Sequence, residues 1–83
     1  MKIAHERIKT ELLRFAADRV GATFCPSEVA RELAPKNWRP LMPEIREVAQ
    51  RLVAAGDLRC TQRGQSVAPL EARGPIRLSA PER

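Results

Sequence analysis

From Ala4 to Val20 the apolar residues Ala4, Ile8, Leu12, Phe15, Ala16 and Val20 return at steps of three and four, the spacing that gathers side chains on one helical face. The intervening charges are ordered as well. Arg7 with Glu11, Glu11 with Arg14, and Arg14 with Asp18 stand at helical contact spacing and predict a solvated, self-paired outer surface. Gly21 suits the left-handed position that ends a helix. Thr23-Phe24-Cys25 follows, a strand-favouring triplet long enough for a single bridge. Pro26 at a first helical position, then Ser27 and Glu28, opens a short second helix through Val29, Ala30 and Leu33. Pro35 stops it by disfavouring helical geometry at Ala34.

Trp38, Leu41, Met42, Ile45, Val48, Ala49, Leu52 and Val53 continue the helical register. Pro40 and Pro43 cannot both lie in a helix interior, since each lacks an N–H and crowds the preceding turn. The spacing therefore predicts a tight turn over 37–42 and a main helix over 43–55, with Pro43 as its first residue and Gly56 as its cap. Beyond it, Leu58-Arg59-Cys60-Thr61 alternates as a strand, Arg63-Gly64 supplies a turn, 65–73 reads as a loop, and a second strand begins at Gly74 and runs to Leu78. The predicted core joins Ile8, Leu12, Phe15, Val29, Leu33, Trp38, Leu41, Ile45, Leu52, Leu58 and Ile76. The expected architecture is one domain over 1–83, mainly α with a small β-hairpin. It is a winged helix-turn-helix of three helices plus a two- to three-stranded antiparallel sheet, ordered over about 3–78, with a frayed tail at 79–83.

Several short motifs recur in a particular order: Cys25-Pro26-Ser27-Glu28-Val29-Ala30, Ala34-Pro35, Asn37-Trp38-Arg39, Leu41-Met42-Pro43, Ile45-Arg46, Thr61-Gln62-Arg63-Gly64 and Ala72-Arg73-Gly74-Pro75-Ile76-Arg77-Leu78. Together they resemble the small bacterial domain-of-unknown-function family 3253, over nearly the whole chain. The resemblance implies a compact winged-helix-like protein of bacterial origin. It brings no catalytic or binding residues with it, so function has to be argued from the side chains.

Fifteen Lys and Arg against ten Asp and Glu leave the 83-residue chain at +5. Such a balance favours anionic partners. On a winged helix the helix 43–55 would enter the major groove and the basic wing 59–77 would touch the adjacent backbone. Gln50 could then pair with adenine and Arg46 or Arg51 with guanine or phosphate, although Glu44 and Glu47 offset those two cations. The wing is the stronger candidate, because Arg59, Arg63, Arg73 and Arg77 face only Glu71 within it. Strand alternation puts Arg59 and Arg77 on one open face, where like charges call for an acidic partner or an internal Glu. The reading is nucleic-acid binding, with double-stranded DNA or another acidic molecule as partner. The alternative is a winged-helix module that binds a protein and no DNA.

Other classes of function find little support. The longest uninterrupted apolar stretches are a few residues long, far from the roughly 20 a membrane span needs, and the charged start lacks the apolar segment of a secretory signal. A cytoplasmic location is expected. One histidine, His5, and two separated cysteines, Cys25 and Cys60, do not make a structural zinc site, and no other cofactor is implied. The thiols are expected as small, reduced, mostly buried groups. His5, at the fraying amino end, is the sole neutral-pH base available to any hydroxyl or thiol nucleophile, so no catalytic triad is readable and a non-enzyme is expected. Trp38, spaced with Leu41, Met42 and Ile45, is expected as core or as a lid on the inter-helix turn rather than as a stacking platform.

Overall fold

The computed structural model describes residues 3–81. Three helices form one side: α1 (His5–Asp18), α2 (Pro26–Leu33) and α3 (Met42–Ala54), the last entered through a 3₁₀ turn at Arg39–Leu41. Strands β1 (Arg59–Gln62), β2 (Gln65–Ser66) and β3 (Arg77–Ser79) form an antiparallel sheet in the order β2-β1-β3. The layout is compatible with a winged helix. Among the described residues no helix is long and apolar enough to cross a membrane.

Local signals set the helix ends. α1 buries Ile8, Leu12, Phe15 and Ala16, as its periodicity requires, but stops two residues short of Val20, which is 79% exposed. The backbone turns at Arg19, where the Ala22 N–H bonds to the Arg19 carbonyl, and this carries Phe24 to the sheet instead of extending the helix. Pro26 opens α2 as expected, and the Glu28 carboxylate accepts the Cys25 N–H at 2.8 Å, satisfying a donor at the helix start. The segment predicted as a tight turn closes as the 3₁₀ turn, so α3 begins at Met42 with Pro43 in its first turn. At the other end Gly56 (φ 83°) lets its own N–H reach the Val53 carbonyl and the Asp57 N–H reach Leu52. This is the paired closure that a left-handed residue makes possible.

The sheet has three antiparallel strands, within the expected two to three, but its strand bounds differ from those expected. Arg63 (φ 53°) and Gly64 (φ 81°) both take positive φ, the two-residue turn whose twist matches antiparallel strands. That turn folds β1 back onto Gln65–Ser66, residues expected in a loop, pairing Thr61 with Ser66 and Gln62 with Gln65. β3 lies on the other edge of β1, with Cys60 opposite Leu78 and Thr61 opposite Arg77. It starts at Arg77, not Gly74, and runs through Ser79. Ser79 and Ala80 therefore depart from the expected frayed tail: Ser79 pairs with Arg59 and Ala80 packs against the core. Residues 82–83 of that tail lie outside the described residues.

Phe24 and Leu78 exchange two backbone hydrogen bonds of 2.8 Å, adding the predicted single bridge beside β3. The Phe24 side chain is fully buried, its ring 5.5 Å from that of Phe15. Of the predicted core, Leu33 and Trp38 are only half-buried, whereas Val48, Ala49, Cys60 and Leu78 join it.

Candidate nucleic-acid interface

α3 turns Ile45, Val48, Ala49 and Leu52 into the core, which leaves Arg46 and Gln50 on a flank of the helix and Arg51 and Ala54 exposed. Segment 67–76, between β2 and β3, lies against that flank. A connection without strand partners has carbonyls to satisfy, and side chains do it here. Arg46 Nη1 donates to the carbonyls of Pro69 (3.3 Å) and Ala72 (3.0 Å), and Nη2 to that of Gly74 (2.6 Å). Gln62 Nε2 donates to Arg73 O (2.6 Å) and Pro75 O (3.0 Å). Gln50 Oε1 accepts the Leu70 N–H at 3.3 Å, and Pro69 is fully buried. Arg46 and Gln50, predicted as base-reading groups, thus hold the chain's own segment, since a rigid five-donor fork suits several converging carbonyls.

The remaining candidates separate by partner. Arg51 is ion-paired with Glu47 at 3.0 Å, one helical turn away, which neutralises the outward surface of α3. Arg77 donates to Thr23 Oγ1 (2.9 Å) and to the Thr23 carbonyl (3.2 Å). Its charge also acts on Glu28, whose carboxyl is held below its ordinary range chiefly by the Cys25 N–H, then by the Arg19 guanidinium at 2.6 Å and by Arg77, with burial opposing. Glu28 is ion-paired with Arg19 and feels Arg77 only as a smaller, purely electrostatic influence. Arg59 is half-buried opposite Ser79 on the same face. Arg63 and Arg73 are exposed and have no side-chain partner among the described residues. Gln62 brings them together in the fold, being next to Arg63 in sequence and bonded to the Arg73 carbonyl.

A second basic group was not legible as a site. The guanidinium carbons of Arg31, on α2, and Arg39, in the 3₁₀ turn, lie 4.5 and 4.7 Å from the ring centroid of half-buried Trp38. The sequence signal was the absence of any acidic residue between Leu33 and Pro43, a stretch that holds Lys36 and Arg39.

The polar groups weighed for catalysis are dispersed. His5 Nε2 is 3.7 Å from Glu44 on α3, the Ser27 hydroxyl donates to Cys25 Sγ at 3.1 Å, and Cys60 is buried, which pushes its thiol pKa up against a smaller opposing effect of Arg46. Both thiols are free, and Cys25 is only half-buried, at the start of α2. Among the described residues no group of three or more His, Cys, Asp or Glu is arranged to hold a metal ion.

Residues 5–81 match the model of a family described as a protein of unknown function, DUF3253. No curated protein matches the chain.

Proposed function

The chain belongs to the DUF3253 family, and from that premise we propose that it is a non-catalytic winged-helix module that binds the backbone of double-stranded DNA through Arg63 and Arg73. One observation carries this reading: two exposed cations without a side-chain partner among the described residues sit on a turn and on a segment that Arg46 and Gln62 hold in place. Cations on a pre-ordered segment lose little conformational entropy when they meet phosphate. The neutral outer surface of α3 supports contact to the backbone rather than reading of bases by that helix. Arg59 on β1 and Arg77 on β3 lie in the same sheet and add to its positive field. Two free thiols suit a reducing compartment, which supports a cytoplasmic location.

The test is a binding titration against a random-sequence duplex as salt is raised. Replacing Arg63 and Arg73 by Ala should weaken binding almost equally for all sequences and lower the slope of log affinity against log salt by about 1.8, at roughly 0.9 per phosphate contact. A parent protein with no salt-dependent binding at about 50 mM salt would refute the reading. A protein-interaction module would then be preferred, supported by the shallow groove in which Leu13 and Ala17 of α1 and Val20 beyond its end meet Ala80 and Pro81.

A further inference from the structure

We propose that Arg31 and Arg39, held over Trp38, form a second contact to the phosphate backbone of the same duplex, an inference that rests on the nucleic-acid reading and extends it. Trp38 is the single tryptophan of the chain and packs against the core from the turn that joins α2 to α3. Its ring positions both guanidinium groups, and neither has a hydrogen bond or ion pair among the described residues. The adjacent acid, Glu32, is turned instead toward Arg14 at 3.6 Å.

A guanidinium held by cation–π contact keeps N–H donors for an anion. The two charges stand no more than about 9 Å apart, comparable to the screening length of about 8 Å in physiological salt, so each raises the local positive potential that the other meets. A phosphodiester answers this arrangement, because its oxygens accept the parallel N–H pairs that guanidinium offers. A base stacked on Trp38 would have to compete with the guanidinium groups for the ring.

Position agrees with this chemistry. Arg39 lies just ahead of α3, whose amino end carries partial positive charge. Arg46, which holds the segment bearing Arg73, is seven residues further along, about 11 Å at 1.5 Å per residue. One duplex backbone, advancing about 3.4 Å per nucleotide, brings several phosphates within that span.

Trp38 emission reports on this site alone. Full-length protein is titrated with a random-sequence duplex between about 50 and 200 mM salt, with duplex anisotropy as a second signal. Binding should change Trp38 emission in the parent and in the Arg63→Ala, Arg73→Ala double variant. Arg31→Gln with Arg39→Gln should lower the salt slope by about 1.8, and Arg31→Lys with Arg39→Lys, which keeps both charges, should preserve most of it. If the Gln pair does not melt cooperatively, the Lys pair and the emission of the Arg63→Ala, Arg73→Ala variant decide. Unchanged emission on binding, or an unchanged slope in the Gln pair, would leave Arg31 and Arg39 as packing for the tryptophan while the Arg63 and Arg73 reading stood. A slope lost in the Gln pair and retained without Arg63 and Arg73 would support the Trp38 site and overturn the other. A parent that does not bind overturns both.

Discussion

At the scale of single residues, Phe24 and Trp38 differ in burial: Phe24 lies in the core, while Trp38 takes the lid position expected on the inter-helix turn. Phe24 sits in a three-residue strand stub, yet its side chain has no exposure, its ring packs on Phe15, and its backbone bonds to Leu78 on both sides. Trp38 has the periodicity of a core residue and is half-buried, with two guanidinium groups over its ring. Phe24→Ala should therefore cost about 3 to 5 kcal/mol, a large part of the roughly 5 to 10 available to so small a domain. Trp38→Ala should cost about 2 kcal/mol, because less area leaves water and the vacated space remains open to solvent. Urea melts of the two variants rank them directly. A larger loss at Trp38 than at Phe24 would contradict the burial on which both figures rest.

At the scale of elements, the segment between β2 and β3 takes its shape from side chains more than from its own backbone pairing. Arg46 from α3 and Gln62 from β1 satisfy five of its carbonyls between them, at Pro69, Ala72, Arg73, Gly74 and Pro75. Arg46→Ala leaves three of these to find water and should cost about 1 to 3 kcal/mol. The effect should be local. Amide hydrogen exchange at Leu70, Glu71 and Ala72 should rise by one to two orders of magnitude while α1 amides are unchanged. Arg46→Lys should restore little, since one ammonium cannot span carbonyls that a planar fork reaches from two nitrogens. Exchange at the parent rate in Arg46→Ala would mean that the turn formed by the Glu71 and Ala72 N–H groups on the Ala68 carbonyl holds the segment unaided.

At the scale of the molecule, Glu28 joins three parts of the fold. It accepts the Cys25 N–H at the start of α2, meets Arg19 just past the end of α1, and feels the charge of Arg77 on β3. These contacts hold its folded pKa below the unfolded value. The stabilisation is therefore complete above the unfolded carboxylate pKa of about 4.3 and is lost as pH falls through the lower folded value. Glu28→Gln should lower stability at neutral pH and leave the protein close to the parent at a pH below the folded value, where the parent's own carboxyl is protonated. Urea midpoints at the two pH values check this. Equal losses at both would show that packing of the side chain, not its charge, joins the three elements.

The sequence by itself determined the helices and the tight turn. Their signals lie within a few residues: the spacing of Ile8, Leu12 and Phe15, that of Ile45, Val48, Ala49 and Leu52, the prolines at 26, 35 and 43, Gly56, and the Arg63-Gly64 pair. It also determined the net charge of +5. Tertiary structure decided which cations remain available, because their partners lie far along the chain. Arg46 finds its carbonyls 23 to 28 residues away and Arg77 its threonine 54 residues away, while the turn after α2 brings Trp38 within cation–π distance of Arg31 on that helix. The strand ends were decided in the same way: β2 and Ser79 owe their pairing to β1, and Phe24 owes its burial to Leu78 and Phe15, since a strand is completed by a neighbour that its own residues do not specify.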